Sequence, residues 1–129
     1  DVAEVLNRVR GPFNLAGPSM AAAVAGLADA AHIDRAKVHN EEWCTWLTRE
    51  IRALGLAVTD SVANFVLVHF GTEPGKTAKD ADEFLQKHRI IVRRMESYQL
   101  PQSLRITVGL ETDNRAVVET LRKFVNGAK

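Results

Sequence analysis

Cysteine is nearly absent: Cys44 is the single one in 129 residues. That excludes a disulfide within the chain and leaves a zinc cluster without its usual thiolates. A reducing compartment fits such usage. Charge of one sign is also lacking, since seventeen basic residues stand against sixteen acidic ones for a net charge of +1. No cationic excess supports a sequence-independent grip on nucleic-acid phosphates. No apolar run approaches the roughly 18 residues of a membrane span, and the opening DVAEVLNRVRG has no apolar signal-peptide core. Nucleic acid and membrane are therefore not expected partners, and a cytoplasmic protein is expected. At 46% hydrophobic residues the length suits one domain with a real core rather than two. The chain opens at Asp1 inside an amphipathic pattern of Val2, Val5, Leu6 and Val9, so a fragment of something longer is expected.

That pattern predicts a helix ending near RGPFNLAGPS, where Gly11, Pro12, Gly17 and Pro18 interrupt regular structure and Pro18 suits the first turn of another helix. Residues 1–17 read as a preceding helix and connector, and 18–129 as the domain proper. From Ser19 to about Ala31 an alanine-rich helix places Met20, Val24 and Leu27 on one stripe. Asp34 is expected to cap a further helix that turns Leu47, Ile51 and Leu54 inward, with Trp43 and Trp46 bordering the stripe and Gly55 terminating it.

The period then changes to that of strands. A short strand is expected at 56–58 and a central one at 64–70, where both alternating sets, Val66, Val68, Phe70 and Phe65, Leu67, His69, are largely apolar. GTEPGKT is a loop, residues 79–88 a helix, RIIVRR at 89–94 a third strand and 104–108 a fourth. Thr112 is expected to cap a last helix with Val117, Val118, Leu121, Phe124 and Val125 on its apolar stripe. From Ser19 the order is helix, helix, strand, strand, helix, strand, strand, helix. It predicts an α+β, two-layer α/β domain with a small, mostly antiparallel sheet packed against helices.

Chemistry concentrates in arginine. In LRITV the alternation sends Leu104, Ile106 and Val108 to one face and Arg105 and Thr107 to the other. In RIIVRR, Arg89 and Arg93 share one side and Arg94 takes the other. Two strands can thus bring guanidinium groups to a common point and bind a carboxylate or phosphate through forked donors. The ordinary alternative is a solvated ion pair with a nearby Glu or Asp; spacing leaves both open. His32, His39, His69 and His88 have no metal-ligand spacing, and His69 on its apolar strand reads as a hydrogen-bonded core residue. EPGKT lacks the upstream glycine of a phosphate loop, and Asp60 and Ser61 have no histidine in a nucleophile motif.

The strings VRGPFNLAGPSMAAAVAGLAD at 9–29, SVANFVLVHF at 61–70, RIIVRR at 89–94 and LPQSLRITVGLETDNRAVVETL at 100–121 resemble, in order and spacing, the C-terminal part of histidinol-phosphate aminotransferases. These belong to the fold type I enzymes that depend on pyridoxal phosphate. The resemblance implies the small C-terminal domain of a homodimeric transaminase. It would exchange an amino group between histidinol phosphate and the 2-oxoglutarate/glutamate pair in histidine biosynthesis. It also implies that Arg105 and Arg93 bind the anionic end of the substrate.

The resemblance further implies that the Schiff-base lysine, the aspartate against the pyridine nitrogen and the phosphate cup lie in a large domain outside this segment. No catalytic residue is then expected here, and this fragment alone is expected to be inactive. Lys37, Lys76, Lys79, Lys87, Lys123 and Lys129 stand in no motif like the family's catalytic lysine and read as surface charges. Arg89 departs from the family, which usually has glycine there. Asn14 and Asn64 recur in the matched strings, and both read as holding backbone rather than substrate. The same branch includes aromatic aminotransferases and threonine-phosphate decarboxylases, and a free-standing module that binds a small anion is the alternative outside it.

Overall fold

The computed structural model describes residues 1–11 and 15–127, so Pro12, Asn14 and Lys129 lie outside the described residues. Two compact units divide the chain at residues 36 and 37. The first carries α1 (Val2–Val9), α2 (Gly17–Ala28) and the opening turns of α3 (Ala30–Ala53). Asp1 caps α1 by accepting the Ala3 N–H at 2.9 Å, and Pro18 sits in the first turn of α2 where its missing N–H costs no helical bond. Val2, Val5, Leu6 and Val9 of α1 and Met20, Val24 and Leu27 of α2 are all exposed. The helical periods are as expected, and their apolar faces stay uncovered among the described residues.

The cap of α3 differs from the expectation. Asp29 accepts the His32 N–H at 2.9 Å, and Asp34 lies inside the helix. The reason is continuity: Asp29 already stands at the end of α2, where its carboxylate reaches the free donors of the next helix.

The second unit continues through β1 (Ala57–Thr59), β2 (Phe65–His69), α4 (Ala78–Lys87), β3 (Arg93–Arg94), a 3-10 turn (Glu96–Tyr98), β4 (Ser103–Thr107) and α5 (Glu111–Val125). The four strands form one antiparallel sheet in the order β1-β2-β4-β3, which makes β2 central as expected. Val58, Val66, Val68, Leu104 and Ile106 line its inner face and pack with Leu47 and Ile51 of α3, Ala81 and Leu85 of α4, and Val117, Val118 and Leu121 of α5. Each fully buried aliphatic side chain contributes about 1.5–3 kcal/mol relative to exposure. The second unit's part of α3, together with α4 and α5, therefore packs on one side of the sheet, and the alternate residues of each strand face away from them.

Turns fix where the strands begin. Gly55 ends α3 with φ +84°, as expected of a left-handed terminator. At the end of α4, Arg89 adopts φ +62°, its N–H bonds the Gln86 carbonyl at 2.9 Å, and the Ile90 N–H reaches the Leu85 carbonyl at 3.0 Å. That is a Schellman end, in which the left-handed position usually carries glycine. The strand expected over 89–94 is accordingly shorter: residues 89 and 90 are consumed by the helix terminus and only Arg93 and Arg94 pair with β4. Arg89 does not share a strand face with Arg93.

The last helix starts at Glu111, so Thr112 is not its cap. Asp113 accepts the Leu110 N–H at 3.3 Å, and buried Asn114 exchanges two hydrogen bonds with Gly109, donating to its carbonyl at 3.0 Å and accepting from its N–H at 2.9 Å. The turn after β4 is thereby locked to α5.

Candidate functional site

On the sheet face turned away from the helices, cross-strand register decides which side chains meet. Arg93 lies directly opposite Arg105 in the β3–β4 ladder, and Leu67 lies opposite Arg105 on the other side. Directly opposed residues of an antiparallel pair carry their side chains on one face, about 4.5–5.5 Å apart at Cβ. Leu104 and Ile106, the neighbours of Arg105, are buried on the helix side. Strand alternation accordingly turns Arg105 outward.

Two like charges placed in this way repel unless something neutralises them. Among the described residues no carboxylate lies within 4 Å of either guanidinium, whereas Arg52, Arg94, Arg115 and Arg122 each have one. Aromatic rings take that place. The Arg105 guanidinium stands 4.9 Å from the centre of the Phe65 ring, and that of Arg93 stands 5.4 Å from the centre of Tyr98. Arg93 also donates to the Tyr98 hydroxyl at 3.3 Å. Such contacts hold a cation through the negative face of the ring without cancelling its charge.

Arg105 is half-buried, and among the described residues its Nε has no hydrogen-bond partner although it is shut off from water. A buried donor left unpaired costs about 1–3 kcal/mol, more when charged. The arrangement is thus two cations on one face, each on an aromatic shelf. Chemically it can bind an anion with forked donors.

Around it the face is polar and ordered. His69 Nδ1 meets the Ser103 hydroxyl at 2.9 Å, and Nε2 meets that of Thr59 at 2.7 Å, so both ring nitrogens are engaged across three strands. Asn64 lends its carbonyl to the ladder, accepting the Val108 N–H at 2.9 Å. Arg94 pairs with Glu96 at the sheet edge. Arg115 lies 5.5 and 5.2 Å from the ring centres of Trp43 and Trp46 and pairs with Glu111 at 2.8 Å, a packing role on α5.

The remaining sequence candidates fall elsewhere. Lys76 pairs with Glu73 at 3.0 Å in a turn whose Gly75 has φ +82°. His39 Nε2 meets the Gly109 carbonyl at 3.0 Å, and His88 Nδ1 meets that of Phe84 at 2.9 Å. A hollow of about 600 Å³ between α3 and the β1–β2 turn includes Asn40, Cys44, Arg52, Asp60 and Ser61 but neither Arg93 nor Arg105. Its Arg52 is already satisfied by Asp60 at 2.8 Å and the Val58 carbonyl at 2.7 Å. Among the described residues there is no cluster of metal ligands, and no helix is long and apolar enough to cross a membrane.

Pyridoxal phosphate requires a sheltered lysine for its aldehyde and an anion cup for its phosphate. Lys37, Lys76 and Lys79 are exposed and pair with Glu41, Glu73 and Glu83, and Lys87 and Lys123 are exposed as well. The lysines among the described residues do not fit the cofactor-binding role. Phe65 and Tyr98 escaped the sequence reading. Phe65 was visible there only as one of an alternating apolar set, and Tyr98 lies in a loop without periodicity.

Residues 1–121 match the family model for aminotransferase class I and II. The chain is 50% identical to the histidinol-phosphate aminotransferase of Nitrobacter hamburgensis, over 96% of this chain and 34% of the relative. It is 49% identical to that of Rhodopseudomonas palustris strain BisB18, over 97% of this chain and 34% of the relative. It is 48% identical to that of Maricaulis maris, over 96% and 34%. The chain thus spans about a third of the length of these relatives. A crystal structure of a candidate aminotransferase from Burkholderia pseudomallei superposes with a TM-score of 0.77 at 23% identity, covering 95% of this chain and 36% of that one. That likeness establishes the α+β fold.

Proposed function

The chain belongs to the aminotransferase class I and II family, and from that premise we propose that it is the C-terminal small domain of a histidinol-phosphate aminotransferase. The complete polypeptide moves an amino group between histidinol phosphate and the 2-oxoglutarate/glutamate pair in the cytoplasm, as a homodimer. Pyridoxal phosphate, held by the large domain, supplies the electron sink for that transfer. The observation that carries the reading is the directly opposed pair Arg93 and Arg105, set on aromatic rings and without a carboxylate among the described residues.

Those two guanidiniums bind and orient the anionic end of each substrate. A two-substrate transaminase has to accept a phosphate from one partner and a carboxylate from the other at overlapping positions, and a fork of N–H donors serves both geometries. Orientation is the contribution of this domain to the rate, because holding the reacting carbon in place replaces a bimolecular encounter. The exposed apolar faces of α1 and α2 are read as surface that the large domain covers.

The test is an assay of the complete polypeptide with histidinol phosphate, phenylalanine and threonine phosphate. A kcat/KM for histidinol phosphate at least about tenfold above the other two supports the reading. A preference for phenylalanine, or carbon dioxide release from threonine phosphate, replaces it by a sister activity. A reading frame that encodes no large domain ahead of this segment overturns it in favour of a free-standing anion-binding module.

A further inference from the structure

We propose that Tyr98 is the positioning residue that presents Arg93 to an anion without neutralising it; this rests on the reading of Arg93 and Arg105 as the substrate's anion site. Arg93 and Arg94 are consecutive in β3, so alternation turns them to opposite faces of the sheet. The connector that follows treats the two cations differently. Glu96 gives Arg94 a carboxylate, whereas Tyr98, two residues further on, gives Arg93 a ring and a hydroxyl.

The connector's backbone sets that ring in place. Buried Met95 accepts both the Tyr98 N–H at 3.0 Å and the Leu100 N–H at 3.2 Å, and Gln99 closes the turn with φ +62°. A phenol that accepts from a guanidinium still has its own O–H to donate. Tyr98 can therefore steer Arg93 without taking up its charge. A carboxylate at position 98 would capture Arg93 as Glu96 captures Arg94, and a ligand anion would then compete with a resident one.

The experiment uses the complete enzyme and reads KM for histidinol phosphate, kcat, and the competitive inhibition constant of inorganic phosphate. Tyr98→Phe keeps the ring and removes the acceptor, so KM and the phosphate constant are expected to rise about 3-fold. Tyr98→Ala is expected to raise both about 10-fold and Tyr98→Glu about 30-fold, with kcat changing no more than about twofold. In an Arg93→Ala background Tyr98→Phe and Tyr98→Ala are expected to add nothing further, which a purely structural role for the ring would not produce.

Wild-type constants in Tyr98→Ala and Tyr98→Glu overturn the proposal, as do effects that persist undiminished without Arg93. Arg93→Ala and Arg105→Ala are measured alongside. If neither alters the phosphate constant, the anion site itself is wrong; if they raise it while the Tyr98 series stays flat, only the role of Tyr98 falls.

Discussion

Arg93 and Arg105 face one another across the β3–β4 ladder as directly opposed residues, each resting on an aromatic ring, with no acidic partner among the described residues. Opposed like charges ordinarily destabilise a sheet. On the proposed function, the counter-charge is the anionic end of the substrate, supplied from outside the domain.

The first consequence concerns anions and stability. At matched ionic strength, inorganic phosphate is expected to raise the denaturation midpoint of the wild type more than chloride does. The additional gain follows the logarithm of phosphate concentration over its dissociation constant. In Arg105→Gln that phosphate-specific increment should disappear, leaving only the general exclusion effect common to both proteins. Equal increments in the two proteins would argue against a bound anion.

A second expectation concerns Arg89, whose φ of +62° ends α4 in a conformation that side chains with a Cβ seldom adopt. Left-handed backbone costs a residue other than glycine about 1 kcal/mol or more. Arg89→Gly is expected to stabilise the fold by about 0.5–1 kcal/mol after the added unfolded-state entropy of glycine is subtracted. Urea unfolding checks it, and a destabilised variant would mean that the Arg89 side chain contributes contacts that outweigh the strain.

The third is a pH dependence. Asp80 reaches back to the start of α4, where hydrogen bonds from the Thr77 hydroxyl and then the Thr77 N–H hold its carboxyl below the usual aspartate range. A carboxyl depressed in the folded state contributes stability that is present above its unfolded value and lost as pH falls through the folded one. The wild type is therefore expected to lose more stability than Asp80→Asn between about pH 5 and about pH 3. Parallel pH profiles would show that the capping box does not hold the ionised form.

Much of this fold was legible because its period was unbroken. Val66 and Val68 alternate with Phe65, Leu67 and His69, and the structure makes that strand central. The alternation of Leu104 and Ile106 with Arg105 already turns Arg105 to the outer face of the strand. Boundaries were harder, because they depend on local competition. Asp29 outcompetes Asp34 as a cap by standing at the break between two helices, and Asp113 acts three residues beyond Leu110 where Thr112 was expected to cap.

The strand at 89–94 was overextended for a related reason. Its apolar run reads as β, but Arg89 and Ile90 are committed to closing α4. The aromatic shelves were not legible at all: Phe65 meets Arg105 only through the β2–β4 register, and Tyr98 meets Arg93 only through the fold of the connector. Both are long-range or turn-dependent relations that no periodicity encodes.

The most direct test of the arginine pair is the kinetics of Arg105→Ala in the complete enzyme, with histidinol phosphate and 2-oxoglutarate varied in turn. Loss of one or two charge-assisted bonds is expected to raise KM for both substrates and lower kcat/KM by about 10²-fold. Unchanged KM for both substrates would contradict the account.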